Sequence, residues 1–282
     1  ATLMEMLRAE AAVQLRVAPK ALVVDGRGFA VQDNPAQRRD FAAIVTAKTG
    51  DWEVPEAAPA LKDPSAFRYI GQPMPRRDFA AKLTGQAVYG YDARLEGMKY
   101  GAVARPPTVN GKLKSASGGN AAEMPGVRKV VIADGFAGVV ADTRAQAQAA
   151  AAQLQTDWDP GHPWQQAELE AMVTVGSGTA VTIQSEGDAS GSLRDAATLT
   201  AEYRTPFAVH AHLEAQAALA DVQPGHIRLW CSTQAQSSVQ GAVAKAMGVD
   251  EKLVEVIPTY VGGGFGRKVG DEVAIEAARL SQ

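Results

Sequence analysis

The stretch with the clearest capacity for chemistry is a glycine-rich loop near the end of the chain, GGGFG at residues 262–266. The apolar run VEVIP precedes it and DEVAIEAARL follows, so we expect a strand before the loop and a helix after it. This arrangement can present backbone N–H groups and a helix N-terminus to an anionic ligand. Glycines also allow close packing without any ligand, and the loop alone leaves both interpretations open.

Two familiar phosphate-binding loops do not fit this stretch. The dinucleotide-binding fingerprint, aligned on Gly264 and Gly266, needs a third glycine where the chain has Val269. The P-loop needs a glycine directly before its lysine and a hydroxyl after it, but Lys268 stands between Arg267 and Val269. The sequence therefore argues against a standard phosphate cradle.

Other side chains that could carry chemistry are few. His210 and His212 alternate on a strand-like segment and would face the same side, which suits a metal pair, although packing or lining of a pocket is the favoured interpretation. Cys231 lies on a predicted buried strand, where a small core residue is expected. Because it is the single cysteine, an internal disulfide and an all-cysteine iron–sulfur or zinc site formed by this chain alone are excluded.

The composition narrows the range of partners. The chain has 282 residues, of which 46% are hydrophobic and 21% charged, and its net charge is -3. These values are ordinary for a globular protein, and the slightly negative net charge does not favour binding to nucleic acid or to an anionic membrane. No apolar run is long enough to cross a bilayer, and no signal-peptide pattern begins at Ala1. We expect neither nucleic acid nor direct membrane insertion.

The first half of the chain is predicted to supply two supporting regions. Residues 1–75 are expected to form a helix-and-hairpin appendage followed by an extended connector, with Thr2 and Glu5 at the capping-box spacing. Residues 76–160 contain short strand-type runs, including AVYGYDARL, and an Ala/Gln-rich helix that begins after Asp142 or Thr143.

The second half is predicted to position the glycine loop. Residues 161–192 are turn-rich and indicate a connector. Residues 193–282 alternate strand-type and helix-type runs, from LTAEYRTPF through a helix ending at Gly248 to a final helix that reaches Gln282 without a stop signal. The fold class is therefore predicted to be α+β, and the chain is expected to be part of a longer polypeptide.

Three motifs at matching spacing carry a resemblance to a known family: WCSTQ at 230–234, the helix AVAKAMGV, and GGGFG. Together they resemble the molybdenum-binding subunit of the xanthine oxidase and aldehyde oxidase family of molybdenum hydroxylases. RRDFAAKLTGQAVYGYDARLEGMKYGAVARPP and MPGVRKVVIADGFAGVVADTRAQAQAAAAQLQTDWD look like that family's hammerhead domain. The segments YRTPFAVHAHLEAQAALA and LKDPSAFRYIG, with the arginine after GGGFG, are most similar to the branch of the isoquinoline 1-oxidoreductase beta subunits.

The resemblance implies a fold and a cofactor. The fold would be a hammerhead-type α/β domain at 76–160, followed at 193–282 by the first part of a molybdopterin-binding α/β domain. The cofactor would be a molybdopterin, usually the cytosine dinucleotide form in bacteria, with molybdenum held by the pterin dithiolene and no protein ligand to the metal.

The resemblance also implies site residues. Gln234 would donate its amide to an oxo ligand of the metal, and the loop would place bare backbone beside it. The cofactor-binding positions carried over are Gln234, Gly263, Gly264, Phe265, Gly266 and Arg267. Arg267 could instead face solvent together with Lys268. Glu214 resembles a family acidic position near the cavity, with a structural hydrogen-bonding role favoured.

The implied chemistry is hydroxylation of a small molecule with water as the oxygen source. Electrons would pass to a 2Fe-2S small subunit, and a cytochrome c subunit is a further candidate partner. The family's carboxylate base lies near the end of the large subunit, in the remainder of that subunit, so no catalytic residue is assignable here. Val269 stands where xanthine-type enzymes have a glutamate, which favours an N-heterocycle or aldehyde over a purine.

One alternative from another class remains open at this stage. The same fold could serve as a non-catalytic assembly or scaffold module, in which the glycines provide packing alone. The sequence does not distinguish a periplasmic from a cytoplasmic location.

Overall fold

A computed structural model of the chain describes residues 1–133, 135–195 and 197–282. The chain divides into two compact units, Ala1–Phe79 and Ala80–Gln282. A short helix, Phe79–Leu83, lies at the division and is α3 in chain order. No helix in the described ranges is long and apolar enough to cross a membrane.

The first unit is a small layer of helices on a sheet. Its elements are α1 (Thr2–Leu15), β1 (Leu22–Asp25), β2 (Gly28–Val31), β3 (Asn34–Asp40) and α2 (Phe41–Ala47). The strands are antiparallel in the order β1-β2-β3, with Gly26 at a positive φ of 58° in the first turn. Phe29 and Ile44 are among the buried residues of its core. The predicted capping box is wrong, because Ala1 is the N-cap of α1 and no side chain caps it.

The beginning of the second unit contains two antiparallel sheets. Its elements are β4 (Tyr100–Val103), β5 (Lys112–Ser117), β6 (Val127–Ala133), β7 (Phe136–Ala141), α4 (Arg144–Ala151) and β8 (Gln155–Asp159). One sheet has the order β4-β7-β6, and β5 pairs with β8 in the other. Thr143 caps α4, since its hydroxyl accepts a hydrogen bond from the Gln146 N–H.

The AVYGYDARL run does not form the strand that its composition suggested. Residues Gly90–Asp92 form a 3-10 turn, and Tyr89 makes only an isolated parallel bridge with Tyr260. The Tyr260 N–H donates to the Val88 carbonyl at 3.0 Å. The turn is thereby placed beside the segment that leads into the glycine loop.

The rest of the second unit forms a mixed α/β layer. Its elements are α5 (Gln166–Val173), α6 (Ala189–Asp195), β9 (Ala218–Gln223), β10 (His226–Cys231), α7 (Gln236–Met247), β11 (Val254–Pro258) and α8 (Glu272–Ser281). The sheet order is β11-β10-β9, with β10 parallel to β11 and antiparallel to β9. The predicted helix end at Gly248 is confirmed, because this residue caps α7 at a φ of 69°.

The core of this layer lies between the sheet and helices α7 and α8. Its buried residues include Leu229 from β10, Val239 and Val243 from α7, and Ala274 and Ala278 from α8. The segment LTAEYRTPF is not a strand, because residues 197–217 contain no helix or strand at all. A strand requires a hydrogen-bonded neighbour, and none of the described strands pairs with this segment.

Candidate functional site

The site lies at the edge of the sheet where two parallel strands end. β10 ends at Cys231 and β11 at Pro258, and these two residues are partners in the parallel pairing. The chain that follows each strand therefore emerges at the same edge, a common location for ligand sites in open sheets. The Thr233 hydroxyl and the Gln234 N–H both donate to the Lys268 carbonyl, at 3.1 and 2.9 Å.

The glycine loop has a backbone that most side chains would not tolerate. Gly263 and Gly266 have φ values of 91° and 94°, and Phe265 has a φ of 51°. A Cβ on Gly264 would lie 2.4 Å from Gln234 Oε1. The loop thus needs glycine both for its backbone angles and for its close approach to Gln234. The Phe265 ring is 73% exposed on this loop.

The loop and Gln234 leave hydrogen-bond donors free. Gln234 Oε1 accepts from the Gly266 N–H at 3.2 Å, so the amide NH2 group of Gln234 remains available to donate. Among the described residues, the consecutive N–H groups of Gly263, Gly264 and Phe265 donate to no acceptor. Adjacent free N–H groups of this kind favour an anionic or strongly accepting oxygen.

A buried ion pair lies beneath the loop. Lys268 Nζ donates to Glu214 Oε2 at 2.6 Å, and the side chains of Lys268 and Glu214 are only 1% and 9% exposed. The same carboxylate accepts from the Gly262 N–H at 2.7 Å and from the Gly90 N–H at 2.9 Å. The interpretation that Lys268 faces solvent is wrong, because its side chain is buried and its Nζ bonds to Glu214.

The ionisation of two buried groups follows from these contacts. Burial raises the pKa of Glu214, but hydrogen bonds from Lys268, Gly262 and Gly90 outweigh that effect and hold the pKa below its usual value. Burial raises the pKa of the Cys231 thiol to about 11, and the Glu214 charge contributes in the same direction. Cys231 is 2% exposed within the core, as the sequence predicted for a small packing residue.

Arg267 and His212 make contacts that the sequence did not suggest. Arg267 Nη1 lies 3.3 Å from Glu272 Oε1, and its role in cofactor binding stays a prediction. His210 is exposed on an irregular segment, whereas His212 Nδ1 lies 2.6 Å from the Glu214 carbonyl oxygen. No cluster of three or more His, Cys, Asp or Glu side chains within the described ranges could hold a metal ion.

Sequence reasoning missed two participants. Gly90 lies far from the loop in the chain, and the AVYGYDARL run that contains it predicted a strand and no contact with the loop. Lys268 follows Arg267, and two adjacent basic residues after a loop usually indicate a solvated turn. The one available signal was Glu214, an acidic residue in an otherwise apolar run, which needs a partner if it is buried.

Comparisons with known proteins place these residues in a family. The molybdopterin cofactor-binding domain model matches residues 174–280, which include Glu214, Gln234 and the whole glycine loop. A nicotinate dehydrogenase subunit from Pseudomonas putida is 31% identical over 293 residues, with 100% of this chain and 24% of that protein covered. The chain belongs to the xanthine oxidase family of molybdenum hydroxylases.

Two further relatives agree with this assignment. The beta subunit of isoquinoline 1-oxidoreductase from Brevundimonas diminuta is 29% identical, with 78% of this chain and 30% of that protein covered. The crystal structure of quinoline 2-oxidoreductase from Pseudomonas putida 86 superposes with a TM-score of 0.53 at 25% identity, covering 70% of this chain and 31% of that one. The chain spans between 24% and 30% of the length of these two sequence relatives of the xanthine oxidase family.

Proposed function

We propose that the chain is the molybdenum-cofactor-binding part of a large subunit that hydroxylates or dehydrogenates an N-heterocycle or an aldehyde. The observation that carries this proposal is the run of free N–H groups at Gly263, Gly264 and Phe265 beside the free amide of Gln234. These donors lie within the segment that matches the molybdopterin-binding domain. Residues 76–160 would be the hammerhead domain.

The residues of the site fit such a cofactor. The oxygen ligands of an oxidised molybdenum centre are acceptors, and the unbonded N–H groups of Gly263, Gly264 and Phe265 and the Gln234 amide are donors. A Cβ on Gly264 would clash with Gln234, so the glycine allows the loop backbone to lie against Gln234 and brings the two sets of donors close together. We propose the cytosine dinucleotide form of molybdopterin, with the metal held by the pterin dithiolene.

When bound, the cofactor supplies the two-electron oxidation of the substrate, with water as the source of the added oxygen. The role of this chain is to bind and orient. The loop N–H groups and the Gln234 amide would fix acceptor oxygens by hydrogen bonds that need no reorganisation during the reaction. Phe265 would add an apolar ring on the exposed side of the loop. The general base would come from the remainder of the large subunit.

The residue at position 269 bears on the substrate class. Val269 is 51% exposed next to the loop and offers no carboxylate to a polar purine ring. An apolar side chain at this position suits a substrate with few hydrogen-bonding groups, such as an N-heteroaromatic compound or an aldehyde. The names of the relatives, which include isoquinoline and quinoline oxidoreductases, support the same class.

The proposed partners follow from the electron path. This chain has one cysteine, Cys231, which is buried in the core, so it cannot hold an all-cysteine iron–sulfur cluster by itself. A 2Fe-2S subunit would therefore receive the electrons, with a cytochrome c subunit as a further acceptor. The remainder of the large subunit would complete the active site. The competing function is an assembly or scaffold module of the same fold without cofactor.

Metal and nucleotide analysis of the full-length protein tests the proposal. We expect molybdenum and acid-released CMP in equal amounts, and both should fall sharply in Gly264→Ala, whose Cβ would displace Gln234. Gly178→Ala is the matched control, because nothing lies within 4 Å of its Cβ position. Absence of both molybdenum and CMP from the assembled natural protein would contradict the proposal and favour the scaffold function.

A further inference from the structure

Three separate parts of the chain donate hydrogen bonds to one carboxylate. Glu214 Oε1 accepts from the Gly90 N–H at 2.9 Å, while Oε2 accepts from the Gly262 N–H at 2.7 Å and from Lys268 Nζ at 2.6 Å. Gly262 is at the start of the glycine loop, and Lys268 lies just beyond its end. The Glu214 N–H also donates to the Gly262 carbonyl at 3.1 Å, so the two residues are joined twice.

We infer that Glu214 is the positioning residue of the glycine loop, and that its carboxylate joins both ends of the loop to the Gly90 turn. The consequence for the proposed cofactor rests on the function proposed above. Lys268 extends the effect to Gln234, since its carbonyl accepts from the Thr233 hydroxyl and the Gln234 N–H. The Glu214 carboxylate would therefore set the direction of the free N–H groups of the loop and of the Gln234 amide, although it contacts none of them.

The chemistry of the contacts explains why a carboxylate is required. Three donors converge on Glu214, and a carboxylate offers two oxygens with about four acceptor positions. An amide at this position has a single acceptor oxygen and would turn an NH2 group toward one of the donors. The ion pair with Lys268 does not by itself explain a carboxylate at position 214, because a buried ion pair can often be replaced by apolar side chains without loss of stability.

The Gly90 turn is held close enough to take part in this arrangement. A Cβ on Gly90 would lie 3.1 Å from Ser232 Oγ, 3.2 Å from the Ala217 carbonyl and 3.3 Å from Glu214 Oε1. These contacts are tight, so an added methyl group would move the Gly90 N–H away from the carboxylate. The turn can thus be disturbed without changing any charge in the site.

The first experiment separates positioning from stability. In the full-length protein, the double variant Glu214→Leu with Lys268→Met removes the carboxylate and its counter-charge together, so no unpaired charge stays buried. We expect a folded protein whose loss of thermal stability is limited to the hydrogen bonds of the Gly90 and Gly262 N–H groups. Amide hydrogen exchange is then measured at Gly266 and Arg267, whose N–H groups bond to Gln234 Oε1 and to the Gly264 carbonyl but not to Glu214.

We expect exchange at these two amides to accelerate roughly 10- to 100-fold, the range that corresponds to loss of one or two hydrogen bonds. Unchanged exchange at Gly266 and Arg267 in a folded double variant would overturn the inference. If the double variant does not fold, Gly90→Ala decides the matter. It should accelerate the same two amides, while Gly118→Ala, with its nearest neighbour at 3.8 Å, should leave them unchanged.

Cofactor content is measured on the same samples. Faster exchange in the variants, when the natural protein itself contains no molybdenum, would support the positioning role and contradict the proposed function. Slow exchange in a variant that still contains molybdenum would contradict the positioning role and support the proposed function. Glu214→Asp provides a further check, because a shorter carboxylate should restore part of the protection that Glu214→Gln loses.

Discussion

Two stretches of the second unit share one sequence pattern but have opposite structures. In β10 the alternating residues Ile227, Leu229 and Cys231 are 3%, 0% and 2% exposed. In residues 197–213 the odd positions are also mostly apolar, yet Leu199, Tyr203, Val209 and Leu213 are 97%, 91%, 84% and 100% exposed. β10 has a hydrogen-bonded neighbour on each side, whereas the described residues give the other stretch none. Alternation specifies a face, but a strand also needs a partner.

Glu214 marks the transition between the two behaviours. Before it the chain is irregular and exposed, and after it the chain enters the sheet and the hydrogen bonds beneath the loop. The proposed cofactor-facing side is therefore organised by contacts within this chain. The exposed apolar side chains of residues 197–213 are those that the proposed remainder of the large subunit would have to cover.

The largest expected effect on stability comes from the ion pair between Lys268 and Glu214. Lys268→Met leaves the Glu214 carboxylate buried without its counter-charge, and removal of one partner of a buried pair typically costs about 3–5 kcal/mol of unfolding free energy. Urea unfolding of the full-length protein measures this loss. Lys245→Met on α7 is the control, since Lys245 is exposed and its loss should change the stability by less than about 0.5 kcal/mol. Equal stability of the two variants would contradict the account of the ion pair.

The second prediction concerns the exposed stretch. If the proposed remainder of the subunit covers the odd-numbered apolar side chains of this stretch, Leu199→Asp and Val209→Asp should each cost about 1.5–3 kcal/mol in the full-length protein, the value of burying such a side chain. Thr200→Asp and His210→Asp, at the neighbouring polar positions, should be tolerated. Chemical denaturation of the four variants makes the comparison. Tolerance of all four would show that this stretch stays uncovered.

Much of this arrangement was readable from the sequence, and the exceptions share a cause. Local sequence patterns predicted three features that the structure confirms: the helix end at Gly248, the strand before the loop and the burial of Cys231. The strand expected in LTAEYRTPF and the burial of Lys268 depend on residues distant in the chain. An alternating pattern predicts which face of a segment is apolar, but it does not show whether a distant segment pairs with it or buries it, so local reasoning cannot decide these two cases.

A smaller effect is expected from pH. The pKa of Glu214 is lower in the folded protein than its ordinary value, so its contribution to stability is fully present above the unfolded pKa of about 4.3. That contribution is lost as the pH falls through the folded pKa. Unfolding free energies measured between about pH 6 and about pH 3 should therefore decline less steeply in Glu214→Gln than in the natural protein. Parallel curves would show that Glu214 does not contribute to acid sensitivity.

The smallest effect on stability separates the two proposed roles of Arg267. Its ion pair with Glu272 is exposed, and such pairs contribute about 0.2–1 kcal/mol. Arg267→Gln and Glu272→Gln break the same pair, so both should lower the unfolding free energy by that small amount. If Arg267 also contacts the cofactor, only Arg267→Gln should reduce the molybdenum and CMP retained after dialysis. Equal retention in the two variants would restrict Arg267 to its contact with α8 and leave binding to Gln234 and the glycine loop.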